Sequence, residues 1–185
     1  MINKFVLFIF FSAAFFVNTI SFAQAPSIQW SKCYGGPGSD HGYCINKCND
    51  GGFVIAGFVD DSGGDVSGFH GVAFDDYWVV KTDSNGTIQW QKCMGGSGPD
   101  NAYYIQQTAD GGYVVAGRTS STDGDVTGNI NNATNDFWIL KLDSAGNLLW
   151  EKCHGTSSDD YAYGMQQTRD GGYIVVGQVD TADSD

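Results

Sequence analysis

Aspartates set at a fixed interval are the side chains in this sequence with the plainest chemical potential. Asp40, Asp100 and Asp160 recur every 60 residues, and Asp65 and Asp125 repeat at the same interval within Gly64-Asp65-Val66 and Gly124-Asp125-Val126. Carboxylates on loops rich in Gly and Asn are the hard oxygen donors that Ca²⁺ takes. The Asp-x-Asp spacing of Asp123-Gly124-Asp125 makes Asp123 and Asp125 the candidate pair for such an ion. Gly63 replaces Asp123 in the preceding copy, and no complete Ca²⁺ loop ending in a bidentate Glu is present. The competing role is structural, because Asp in a turn accepts hydrogen bonds from nearby backbone N–H groups.

Catalytic chemistry finds less support. His41, His70 and His154 fall at three different places in the repeat, and none neighbours a Ser or Cys in a nucleophile motif. Cys33, Cys93 and Cys153 occupy one repeat position, which predicts burial of most of them as small apolar side chains rather than a zinc set. Cys44 and Cys48 belong to the first copy alone, and with five cysteines at least one thiol has no intramolecular partner. An enzyme is therefore not expected. Its residual form would be a glycan hydrolase or lyase using loop acids such as Asp100 and Asp160.

The elements that position these residues follow from the repeat itself. Trp30, Trp90 and Trp150 head the segments Ile28 to Cys33, Ile88 to Cys93 and Leu148 to Cys153, and residues 28–87 match 88–147 without a gap at 28 of 60 positions. Two full copies and the start of a third make up the chain. Within the second copy, Tyr103 to Gln107 leads through Asp110-Gly111-Gly112 into the apolar run Tyr113 to Ala116. Asp-Gly-Gly between two such runs predicts a tight hairpin. A third strand, Phe137 to Lys141, turns through Asp143-Ser144-Ala145-Gly146 into a fourth from Leu148 to Lys152. The first copy repeats the pattern, and nothing after residue 23 reads as helix. Four antiparallel strands with both faces apolar need a neighbouring sheet on each side, which radial stacking of blades supplies.

The succession Trp-x-Lys, Gly-Gly, Asp-Gly-Gly-Tyr-x-Val-x-Gly, Asp-Gly-Asp-Val and Asp-x-Trp-x-x-Lys-x-Asp-x-x-Gly resembles the repeat of secreted β-propeller proteins of Bacteroidetes. The resemblance implies an all-β, β-propeller-like fold with four-stranded blades, in large surface proteins exported by type IX secretion. Blade 1 spans about residues 40–93, blade 2 100–153 and a partial blade 3 160–185, with a leading strand of the outermost type and its loop in 24–39. Two blades and a half do not close a ring. The expectation is a fragment with further blades of a longer parent chain as partners.

Lys4, the apolar run Phe5 to Val17 and Ser21-Phe22-Ala23 read as a signal peptide, residues 1–23. No later apolar run is long enough for a spanning helix. A formal net charge of -12 argues against nucleic acid and anionic membranes. The long loops 58–75 and 118–135, with the inter-blade loop Gly95 to Asp100, predict an acidic binding face carrying Asp40, Asp65, Asp100, Asp125 and Asp160. The expected function is a non-catalytic, secreted or cell-surface binding and scaffolding module for an extracellular protein or glycan. A purely structural repeat is the alternative.

Overall fold

The computed structural model describes residues 25–71, 74–129 and 134–180, so the expected signal peptide lies outside the described residues. The architecture is all-β, with ten antiparallel strands and no helix among those residues. One sheet takes β1 (Asp40–Lys47), β2 (Phe53–Val59), β3 (Asp76–Thr82) and β4 (Ile88–Met94) in chain order. A second repeats it with β5 (Asp100–Gln107), β6 (Tyr113–Thr119), β7 (Asp136–Leu142) and β8 (Leu148–His154). The third is the pair β9 (Asp160–Gln167) and β10 (Tyr173–Val179).

Glycine sets the hairpins where the sequence places them. Gly51, Gly111 and Gly171 hold φ of 85°, 84° and 89°, a region that L side chains avoid. The neighbouring Asp50 Oδ1 accepts a hydrogen bond from Gly52 N at 2.9 Å, and Asp110 does the same for Gly112. Lys81 reaches the Asp50-Gly51-Gly52 hairpin: its Nζ donates to Asp50 Oδ2 at 2.6 Å and to Thr82 O at 2.9 Å. Lys141 repeats this with Asp110, at 3.1 Å to Oδ1. The cause is register, since Phe53 pairs with Thr82 and the start of β2 lies next to Lys81.

The sheets stack face to face and approach most closely at their first strands, β5 touching β1, β2 and β3, and β9 touching β5, β6 and β7. Val54, Ala56, Tyr77 and Val79 of the first sheet pack on Ile105, Val115 and Trp138 of the second. Val114 and Ala116 then pack on Ala162 and Met165 of the third. Each Val, Ile or Met side chain among these contributes about 1.5–3 kcal/mol by leaving water.

The tryptophans stitch the outer strands. Trp90 meets Tyr113 edge-on at 5.5 Å and Trp150 meets Tyr173 at 5.8 Å. Residues 28–33, expected as a strand, have no regular secondary structure. No strand among the described residues lies alongside to pair with their backbone. The segment nonetheless keeps the fourth-strand contacts: Trp30 sits 6.0 Å from Phe53 and donates from Nε1 to Ser84 O at 3.1 Å.

Candidate functional site

A β-bulge recurs at one place in every copy and re-aims one side chain. The β1–β2 register slips between Gly42 and Cys44, the β5–β6 register between Ala102 and Tyr104, and the β9–β10 register where Gly164 and Ala162 face Val176 and Gly177. The extra residue is Tyr43, Tyr103 and Tyr163 in turn. Bulges bend a strand and turn a side chain out of its alternation. Opposite each stands a glycine, Gly57, Gly117 or Gly177, and a Cβ on it would collide with the carbonyl oxygen of His41, Asn101 or Tyr161.

The three tyrosines consequently form one row across three sheets, with ring centroids 5.3 Å apart for Tyr43 and Tyr103 and 5.4 Å for Tyr103 and Tyr163. Tyr43 and Tyr163, on the edge strands β1 and β9, are 52% and 51% exposed. Unlike groups flank the row. His41 stacks on Phe58 at 4.6 Å at one end. At the other, Arg118 lies 5.6 Å over Tyr161 and donates to Asn101 Oδ1 through Nε at 2.7 Å and to Asn135 Oδ1 through Nη1 at 2.7 Å. Asp159 accepts from Asn135 Nδ2 at 2.8 Å, and Asn135 holds its carboxyl below the ordinary range. Burial raises the Tyr103 phenol, so at neutral pH its hydroxyl both donates and accepts.

The loop aspartates have different surroundings. Asp40 Oδ2 accepts from Gly36 N at 2.9 Å, Asp100 Oδ2 from Gly96 N at 2.9 Å and Asp160 Oδ2 from Thr156 N at 2.5 Å. Asp100 and Asp160 are fully buried, which differs from the solvent-facing position expected for an acidic face. Each opens a strand rather than ending a loop, and the segment before it folds over the carboxylate. Asp65 and Asp125 bind the same segment, accepting at 3.3 Å from Gly35 N and Gly95 N, while Asp123 Oδ1 accepts from Ser97 N at 2.7 Å. Among the described residues no group of three or more His, Cys, Asp or Glu is arranged to hold a metal ion.

Asp76 and Asp100 converge on Gly95, whose added Cβ would lie 2.5 Å from one carboxylate and 2.6 Å from the other. Burial raises both carboxyls, Asp100 to about 6. His70 lies between Asp76, at 3.0 Å from Nδ1, and Asp125, at 3.6 Å from Nε2, and its backbone N–H also donates to Asp76. All five cysteines are free. Burial pushes the Cys93 and Cys153 thiols up to about 12, which keeps them protonated and unreactive.

The tyrosine row is the feature that residue-by-residue reading passes over. Its signals are present in the sequence: a Tyr at one position of all three copies and a Gly inside each second strand. The chain matches no protein-family model and no curated protein.

Proposed function

We propose that this chain is a secreted or cell-surface, non-catalytic module of β-propeller blades that holds an extracellular glycan along the Tyr43–Tyr103–Tyr163 row. The single observation carrying this reading is that three bulges at one repeat position present aromatic rings in a line, partly open to solvent. Tyr combines an apolar ring face, suited to the C–H face of a sugar, with a hydroxyl that hydrogen-bonds sugar hydroxyls. His41 and Arg118 beside the row add polar groups that differ between copies, which gives direction to a bound chain. The blade reading is supported by sheets that converge at their first strands and repeat one packing interface.

The test is a glycan array with the full chain, followed by calorimetry on the best ligand. Tyr103→Ala is expected to weaken binding roughly tenfold to a hundredfold, about 1.4–2.7 kcal/mol. Tyr103→Phe keeps the ring face and loses less. An array without hits, or an unchanged affinity in Tyr103→Ala, would remove the glycan reading.

A further inference from the structure

We propose that the junction between the first two sheets holds a calcium ion between the carboxylates of Asp76 and Asp100, beneath the loop at Gly95. Asp76 opens β3 and Asp100 opens β5, so an ion bound to both ties one sheet to the next. Asp76 Oδ1 and Asp100 Oδ2 lie 2.5 Å and 2.6 Å from the point where a Gly95 Cβ would stand, and glycine at this position keeps the space between them clear. Asp100 has partners on both oxygens, the Thr119 hydroxyl on Oδ1 and the Gly96 N–H and Ser121 hydroxyl on Oδ2. Asp76 has them on one only. Its Oδ2 accepts from the His70 backbone at 2.7 Å, while Oδ1, fully buried and turned toward Gly95, has no hydrogen-bond partner among the described residues. A buried carboxylate oxygen without a partner is costly, and a second carboxylate beside it raises the cost.

The charge of the pair is not balanced by side chains. His70 is within ion-pair distance of Asp76, but on the oxygen away from Gly95, and its other ring nitrogen faces Asp125. Among the described residues no Lys, Arg or His stands within ion-pair distance of Asp100. Two buried carboxylates are neutralised by one divalent ion, and donors that are all oxygen select a hard one. Two side chains leave the remaining ligands to main-chain oxygens and water. Ca²⁺ tolerates such a mixed, irregular shell, whereas Mg²⁺ demands a near-ideal octahedron. The arrangement recurs at the next junction, where Asp136 Oδ1 and Asp160 Oδ2 lie 2.5 Å and 2.9 Å from the Cβ position of Gly155. Asp123, which the sequence pairs with Asp125 by spacing, instead accepts from Ser97 N. In calcium-free buffer a proton is the remaining way to relieve the Asp76–Asp100 pair.

Equilibrium dialysis of the full chain, stripped with EDTA and returned to calcium at pH 7, should show binding with a Kd of about 10⁻⁴–10⁻³ M, the range of extracellular calcium modules. Calcium at about ten times that Kd should raise the melting temperature by about 3–6 °C, and magnesium at the same concentration by less. Asp76→Asn is expected to bind one equivalent fewer than the parent, and Asp123→Asn as many. A parent that binds no calcium, an Asp76→Asn chain that keeps every equivalent, an equivalent lost in Asp123→Asn, or a larger shift with magnesium would overturn the proposal. Near-ultraviolet circular dichroism reports whether Asp76→Asn keeps its tryptophan packing. If it does not, crystals of the parent grown in calcium decide: an anomalous-difference peak between Asp76 and Asp100 is expected, and a map without one overturns the proposal.

Discussion

Gly117→Ala is expected to destabilise the chain by at least about 3 kcal/mol, the upper end of what overpacking a close-packed interior costs. The added Cβ would collide with the carbonyl oxygen of Asn101, and would lie 2.6 Å from the Tyr77 hydroxyl and 2.9 Å from Ala102 Cα. Two of these neighbours are backbone, held by the β5–β6 ladder, and cannot rotate aside. The Tyr77 hydroxyl is itself fixed, donating to Trp138 O at 3.0 Å between the first two sheets. Relief therefore requires the bulge at Tyr103 to open or the second sheet to move off the first. For a domain of this size the melting temperature falls about 2–4 °C per kcal/mol, so a loss near 10 °C should appear in thermal melts. Gly111→Ala separates space from backbone strain. It has no atom within 4 Å of its added Cβ but a φ of 84°, and it should cost only about 1–2 kcal/mol. If Gly111→Ala proved the more damaging of the two, the bulge would not be the constraint claimed for it.

That pair of glycines also marks what sequence can and cannot convey here. Gly111 sits in Asp-Gly-Gly between apolar runs, a local signal whose meaning is complete within a few residues, and the strands it joins are correctly read with ends off by a few positions. Gly117 looks like any glycine in a strand. Its role emerges only from pairing, because which residue of a strand is extra depends on its partner's register. Tyr103 is accordingly legible as the start of a strand but not as the middle of a row. Asp100 fails to be read for a related reason: its burial comes from a loop folding over it and from Asp125, 25 residues downstream, binding that loop. For Lys81 and Lys141, turn carboxylates stand on both sides of their strand. Only the sheet order selects Asp50 and Asp110 over Asp83 and Asp143.

The stability of the chain is expected to rise as the pH is lowered from 7 to about 5, opposite to the usual behaviour of an acidic protein. Burial lifts Asp100 from its ordinary 3.8 to about 6, against the downward pull of the Thr119 and Ser121 hydroxyls and the Gly96 N–H, and it lifts Asp76 in the same direction. A carboxyl that binds its proton more tightly in the folded than in the unfolded state makes folding take up protons, so stability falls as pH climbs from 3.8 through 6. For Asp100 the difference between the two ends of that window is about 3 kcal/mol at 1.36 kcal/mol per pH unit. The opposite slope takes over only below the unfolded carboxylate range. There Asp110, held down to about 2 by the Thr108 hydroxyl and Lys141, loses its charge together with Asp50 and Asp143. Urea unfolding at pH 7, 6, 5 and 4 should therefore trace a maximum between pH 4 and 5. Repulsion within the acidic chain contributes a slope of the same sign, and Asp100→Asn separates the two. Its carboxamide oxygen, in the place of Oδ2, still accepts from Gly96 N–H and the Ser121 hydroxyl, and its NH2 faces the Thr119 oxygen, while the titrating proton is gone. The variant should match or exceed the parent at pH 7 and gain less on acidification. A parent whose stability is flat or increases between pH 5 and 7, or an Asp100→Asn curve parallel to it, would place the controlling charge elsewhere than beneath the Gly95 loop.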